Sequence, residues 1–151
     1  MWLANEALRR AGVPGMRFLD VACGSGALSI PAARLGARVT GTDLSPSMVE
    51  RLTARALAEG LPNLEGRVMD GHALDLEDDS FDASGSQFGV MLFPDLPRGL
   101  SELARVTRWG GRVVIVAYGP PGEVEFGLTA RTPVRPRPRP SYARRIGGRG
   151  R

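Results

Sequence analysis

Lysine is missing from this chain: all 20 of its basic residues are arginine. That uniform usage reads as a bias of the coding sequence rather than a design for bidentate phosphate contacts. Cysteine occurs once, at Cys23. A lone thiol closes no intrachain disulfide, so the fold depends on none and a reducing compartment is expected. Nothing near Cys23 in sequence offers the basic partner that would activate it, which argues against a nucleophilic thiol. No apolar run approaches the length of a membrane span. The N-terminus, with Glu6, Arg9 and Arg10, lacks the apolar centre of a signal peptide. A cytoplasmic protein with no membrane partner is therefore expected. The acidic cluster Asp75, Glu77, Asp78 and Asp79 lacks the fixed ligand pattern of a calcium loop. It reads as a solvated acidic turn, with no metal.

What is present suffices for one domain with a core, since 42% of the 151 residues are hydrophobic. The net charge of +4 is unevenly placed. Residues 1–130 hold 12 Arg against 16 acids, a net of −4, whereas residues 131–151 hold 8 Arg and no acid. The boundary is therefore set at a domain over 1–118 and an irregular Pro/Arg/Gly-rich basic tail over 119–151.

The chain is organised around Phe18 to Ile30, FLDVACGSGALSI. Apolar residues lead into a run of small ones and then into a helical pattern, which predicts strand, tight glycine turn and helix. Without Cβ atoms at Gly24 and Gly26, the backbone can bend sharply and let a ligand come close. A dinucleotide fingerprint, G-x-G-x-x-G, is incomplete here because Ser29 stands where the third glycine belongs. Around this turn the periodicity predicts a helix over 2–11 with Trp2, Leu3, Ala7, Leu8 and Ala11 on its apolar face. A second strand follows over Ala37–Leu44. A helix capped by Ser45 then carries Met48, Val49, Leu52, Ala56 and Leu57. A third strand spans Leu64–Met69 and a fourth Phe81–Met91. A helix from Pro94–Asp95 carries Leu96, Leu100, Leu103, Ala104 and Val106, and an apolar fifth strand spans Arg112–Tyr118, expected to be buried on both faces. Alternation of strand and helix predicts an α/β, doubly wound, mostly parallel sheet with its ligand at the carboxyl ends of the strands. Asp43, 19 residues beyond Gly24, would sit at the tip of the second strand. Its two carboxylate oxygens could accept from two ribose hydroxyls. That supports an adenosine ligand, either NAD or S-adenosyl-L-methionine.

The series Asp20, Ala22, Gly24, Gly26 resembles motif I of the class I S-adenosylmethionine-dependent methyltransferases, acid-x-Gly-x-Gly-x-Gly, with Ala22 at the first glycine position. The stretch Asp70 to Asp82, DGHALDLEDDSFD, resembles the methyltransferase type 11, or ubiquinone/menaquinone-biosynthesis-like, group. There an acid at the third strand end is followed by a short loop and by Ser-Phe-Asp opening the fourth strand. The likeness covers about Met16 to Tyr118 and implies a Rossmann-like methyltransferase fold with S-adenosyl-L-methionine as cofactor and a small-molecule methyl acceptor. It implies that Asp20 anchors the methionine end and that Asp43, with Leu44 beside it, holds the ribose. It further implies that Asp70 accepts from the adenine amino group and the Gly71 backbone reads the ring edge, with Gln87 and Phe88 flanking the methionine and substrate. No catalytic side chain is required, because the sulfonium carries its own reactive methyl. On this reading three neighbouring strands each deliver an acid, Asp20, Asp43 and Asp70, to one rim. His72, the one histidine, reads as a general base or as an exposed loop residue near the adenine. Trp109 stands where the family has proline before Gly110-Gly111, and a bulky plug at the helix end is expected.

The family continues with a further helix and two more strands, where this chain offers TPVRPRPRPSYARRIGGRGR. Alternating Pro and Arg forms neither strand nor core, so a disordered tail lacking the C-terminal strands is expected. A truncated or frame-shifted gene end accounts for it better than a nucleic-acid-binding arm, since Tyr142 is its one aromatic residue. Three rivals to the enzyme reading stand: an inactive cofactor-binding fragment, an NAD-dependent oxidoreductase and an Arg-rich nucleic-acid binder. An exposed edge on the fifth strand would suit homo-oligomerisation.

Overall fold

The computed structural model describes residues 2–118. The basic tail over 119–151, with the expectations attached to it, lies outside the described residues. Helix α1 (Trp2–Ala11) precedes β1 (Arg17–Val21), α2 (Ser29–Arg34), β2 (Arg38–Asp43), α3 (Pro46–Ala58), β3 (Leu64–Val68) and β4 (Phe81–Gln87). A 3₁₀ turn (Val90–Leu92), α4 (Leu96–Val106) and β5 (Thr107–Val116) follow. The five strands form one sheet in the order β3-β2-β1-β4-β5, and every pairing is parallel. From β1 the chain winds outward through β2 and β3, then returns to the other side of β1 for β4. The reversal leaves a crevice at the carboxyl ends of β1 and β4, the place where doubly wound sheets take their ligands.

Alternation along the strands assigns the two faces. Phe18, Val39, Ala83, Val114 and Val116 bury against α1, α2 and α3, through Leu8, Ile30 and Leu52. Leu19, Val21, Val113 and Ile115 face α4 and the loop after β3, through Leu103, Val106 and Leu74. On α1 the buried face is Ala4, Ala7, Leu8 and Ala11; the side chains of Trp2 and Leu3 lie outside the described residues. Among the described residues no helix is long and apolar enough to cross a membrane.

Several boundaries differ from expectation for identifiable reasons. Helix α2 starts at Ser29, where the sequence pattern predicts a start at about Ala27, and this puts Pro31 in the first turn, where its missing N–H costs nothing. Ser45 occupies the N-cap of α3 but its side chain makes no capping bond; its hydroxyl lies 3.0 Å from that of Ser47 instead. The apolar face of α3 is Val49, Leu52 and Ala56, while Leu57 points to solvent. On α4, Leu96 and Leu100 are partly exposed and Gly99, Leu103 and Val106 are buried. Strand β4 stops at Gln87, because Phe88 takes a left-handed φ of 59° and the chain coils into the 3₁₀ turn.

The largest departure is β5. Trp109-Gly110-Gly111 does not close the helix; the strand begins at Thr107 and bulges there. Phe81 pairs with Thr107 and Ala83 with Arg112, so four residues of β5 stand opposite Asp82 alone. Gly110 supplies a φ of 73°. A Cβ on Gly111 would sit 2.7 Å from the Asp82 carbonyl oxygen. Trp109 plugs nothing, being 63% exposed. Nor is β5 buried on both faces, since Arg112 is exposed and Val113 and Ile115 are only partly covered.

Candidate cofactor site

The turn after β1, residues 22–28, lies over the carboxyl ends of β1 and β2. Ala22 takes a φ of 54°, a left-handed conformation of the kind glycine adopts most readily, as its place in the motif suggests. Gly24 has a φ of 54° and open space where a Cβ would project. Gly26, with a φ of 97°, faces inward: a Cβ there would meet Leu52 Cδ1 at 2.5 Å. One glycine thus leaves room outside the turn and the other lets the turn settle on α3.

Asp43 ties that turn to β2. Its Oδ2 accepts from the Gly24 N–H at 2.8 Å and its Oδ1 from the Ser45 N–H at 2.9 Å. Each oxygen keeps a second lone pair. The Asp43 carbonyl also accepts from the Met69 N–H at 3.0 Å, which holds the chain after β3 alongside. Leu44, next in sequence, is exposed.

Asp20 sits lower. It is 1% exposed, sealed beneath the turn, where Oδ2 accepts from the Ser29 hydroxyl at 2.6 Å and Oδ1 has no hydrogen-bond partner. Burial pushes its carboxyl up to about 7, against the opposing pull of Ser29, with the nearby charge of Asp43 adding to the rise. The same burial, with Asp20 and Asp43 close by, raises the Cys23 thiol above its ordinary value, which argues against an activated thiolate.

Asp70, two residues past β3, is half-exposed. Its Oδ1 accepts from the His72 backbone N–H at 2.9 Å and meets the His72 ring Nδ1 at 2.9 Å. The backbone bond foremost, and the ring contact with it, hold its carboxyl below the ordinary range. The three carboxyl groups differ in depth: Asp70 is exposed, Asp43 partly buried and Asp20 buried, and Asp20 pairs across the sheet with Gly41, two residues before Asp43.

Gly71 is buried, and a Cβ there would collide with the Phe93 ring. Gln87 ends β4, its buried Oε1 without a hydrogen-bond partner. Phe88 stacks on Tyr118, ring centroids 4.5 Å apart. His72 has both ring nitrogens engaged, with Asp70 and with the Asp95 N–H, which leaves neither free to act as a general base.

Ser29 and Arg105 matter here, and sequence reasoning assigns neither of them a part. Ser29 reads only as the missing glycine, yet its hydroxyl is the partner of Asp20. Arg105 gathers the loop after Gly71: it donates to the carbonyls of Leu74 and Leu76, to Asp78 and to Glu102. The acidic turn is thereby pinned to α4 rather than simply solvated. An i, i+3 Glu102–Arg105 pair was visible in the sequence; the loop it would hold was not. A hollow of about 440 Å³ lined by Arg38, Thr40, Asn63 and Glu65 lies at the opposite, amino ends of the strands.

A doubly wound parallel sheet with a glycine turn at its switch point defines an α/β domain of the nucleotide-cofactor-binding kind. The family described as methyltransferase domain matches residues 19–115, and the chain belongs to it. An uncharacterized protein of Mycobacterium tuberculosis is 45% identical over 134 residues, covering 89% of this chain and 47% of that protein. Demethylmenaquinone methyltransferase of Thermus thermophilus is 40% identical over 119 residues, covering 76% of this chain and 53% of that enzyme. The solved SAM-dependent methyltransferase of Methanosarcina mazei superposes with a TM-score of 0.65 at 29% identity, covering 70% of this chain and 54% of that one. The chain thus spans about half the length of the curated relatives it matches.

Proposed function

We propose that this chain is the cofactor-binding domain of an S-adenosyl-L-methionine-dependent methyltransferase that acts on a small-molecule acceptor. The observation that carries the proposal is the Gly24–Asp43 contact at the switch point, together with two buried oxygens that lack hydrogen-bond partners, Asp20 Oδ1 on β1 and Gln87 Oε1 at the end of β4. The α-ammonium group of the methionine end is rich in donors, so these residues fit that group. Asp20 and Gln87 would serve the methionine end, with Ala22, Gly24 and Gly26 shaping the backbone around it. Asp43 and Leu44 would hold the ribose, and Asp70 and Gly71 the adenine. When bound, the cofactor supplies a methyl group already activated by its sulfonium. The chain's own task is then to orient the acceptor and exclude water. Exposed Leu44, Met91, Leu92 and Leu96, just past the ends of β2 and β4, favour an acceptor with apolar surface.

The cofactor domain would end at residue 118 and work in the cytoplasm, where the buried Cys23 thiol stays free. Pairing of two copies through the β5 edge would extend the sheet.

Calorimetric titration of the 151-residue chain with S-adenosylhomocysteine tests the proposal. We expect a dissociation constant of about 1–100 μM, weakened at least tenfold by Asp43→Ala. No binding at about millimolar ligand, or preferential binding of NAD, overturns it.

A further inference from the structure

The loop between β3 and β4 and the segment between β4 and α4 border the same end of the sheet, and one side chain joins them. The His72 ring lies between Asp70 Oδ1, 2.9 Å from Nδ1, and the Asp95 backbone nitrogen, 3.3 Å from Nε2. The Asp95 nitrogen can only donate, so Nε2 must accept. The ring proton then sits on Nδ1 and points at the Asp70 carboxylate. The His72 carbonyl closes the bracket by accepting from Arg98 Nε at 3.0 Å.

Packing reinforces the polar bonds. The Phe93 ring lies 4.7 Å from the His72 ring, centroid to centroid. It fills the space left by two residues without Cβ atoms, Gly71 on the loop and Gly99 on α4. The start of α4 is held from the same place: Asp95 caps Arg98 with its carboxylate and gives its own N–H to His72. Asp70 Oδ1 is thereby bonded twice, by the ring and the backbone of His72, while Oδ2 makes no hydrogen bond among the described residues.

We propose that His72 is a positioning residue for the cofactor site. It turns the free Oδ2 of Asp70 outward through Nδ1, while Nε2 ties the same ring to the start of α4. The inference rests on the reading of Asp70 as the adenine-side acceptor given above. Because Met91, Leu92 and Leu96 lie within residues 90–98, the same ring borders both the adenosine side and the acceptor side of the site. An exposed loop histidine without this role would leave the two sides independent.

Three substitutions in the 151-residue chain separate the two bonds. His72→Asn puts an amide nitrogen near the place of Nδ1 but stops short of Asp95. His72→Gln reaches Asp95 with an acceptor but gives Asp70 no side-chain donor. His72→Phe keeps the ring against Phe93 and loses both bonds. We expect nitrogen-15 spectra of the wild-type ring to show the proton on Nδ1. Hydrogen exchange of the Asp95 amide should be slow in the wild type and His72→Gln and at least about tenfold faster in His72→Asn and His72→Phe.

Affinity for S-adenosylhomocysteine should fall about five- to tenfold in His72→Phe and His72→Gln, the worth of one hydrogen bond. His72→Asn should restore it to within about threefold, with the melting temperatures of the variants unchanged relative to one another. A proton on Nε2, or a wild type that binds while all three variants bind equally well, overturns the positioning role alone. A wild type that binds no S-adenosylhomocysteine overturns the cofactor reading, and the positioning role with it.

Discussion

Asp20 is the residue whose environment departs furthest from what its place in the motif suggests. A folded carboxyl raised from 3.8 to about 7 keeps its proton over a window in which the unfolded chain has released it. Its contribution to stability is therefore complete below about pH 4 and is lost as pH rises toward 7, with a slope of up to about 1.4 kcal/mol per pH unit for one proton. Asp20→Asn should flatten the stability of the chain between pH 4 and 7, measured by urea unfolding; an unchanged slope would show that the carboxyl ionises freely. The two glycines of the turn make a second contrast. Gly24→Ala has room for its methyl group and should cost about 1 kcal/mol for its left-handed backbone, while losing most cofactor affinity. Gly26→Ala drives a methyl group into Leu52 and should cost about 2–4 kcal/mol. Equal losses of stability at the two positions would contradict this division of labour. The acid and the glycines were legible in the sequence because a motif is a local pattern. The depth of Asp20 was not, since it depends on α2 closing over it with Ser29.

At the scale of elements, the strands and helices were legible wherever periodicity was strong. Where tertiary contacts decided, boundaries moved. Strand β5 runs straight out of α4 because the bulge opposite Asp82 absorbs Trp109-Gly110-Gly111, a cross-strand fit that no single segment encodes. Asp82 anchors the same corner. It accepts from the Arg17 backbone and guanidinium and from Arg108, and Arg17 above all holds its carboxyl well below the ordinary range. The loop over residues 74–78 depends on Arg105 in a similar way. Arg105→Ala would remove the donors of two loop carbonyls and leave Glu102 with the Leu74 N–H but no cationic partner, with an expected cost of about 2 kcal/mol. Faster hydrogen exchange at the Leu74 amide, which donates to Glu102, would report it; unchanged exchange there would mean the loop is held by packing alone.

For the whole molecule, strand order is what turns scattered motifs into a site. Placing β1 between β2 and β4 brings the glycine turn, Asp43 and the end of β4 to one crevice, with the loop after β3 tied in through Met69 and His72. That much follows from alternating strands and helices with right-handed crossovers. The same architecture offers a competing hollow at the amino ends, and only the location of bound ligand decides between the two. The most direct measurement is therefore a titration of the isotope-labelled chain with S-adenosylhomocysteine, following backbone amides. The account predicts the largest shifts at Gly24, Leu44, Gly71 and Gln87. Shifts centred on Arg38, Asn63 and Glu65, or none at saturating ligand, would contradict it.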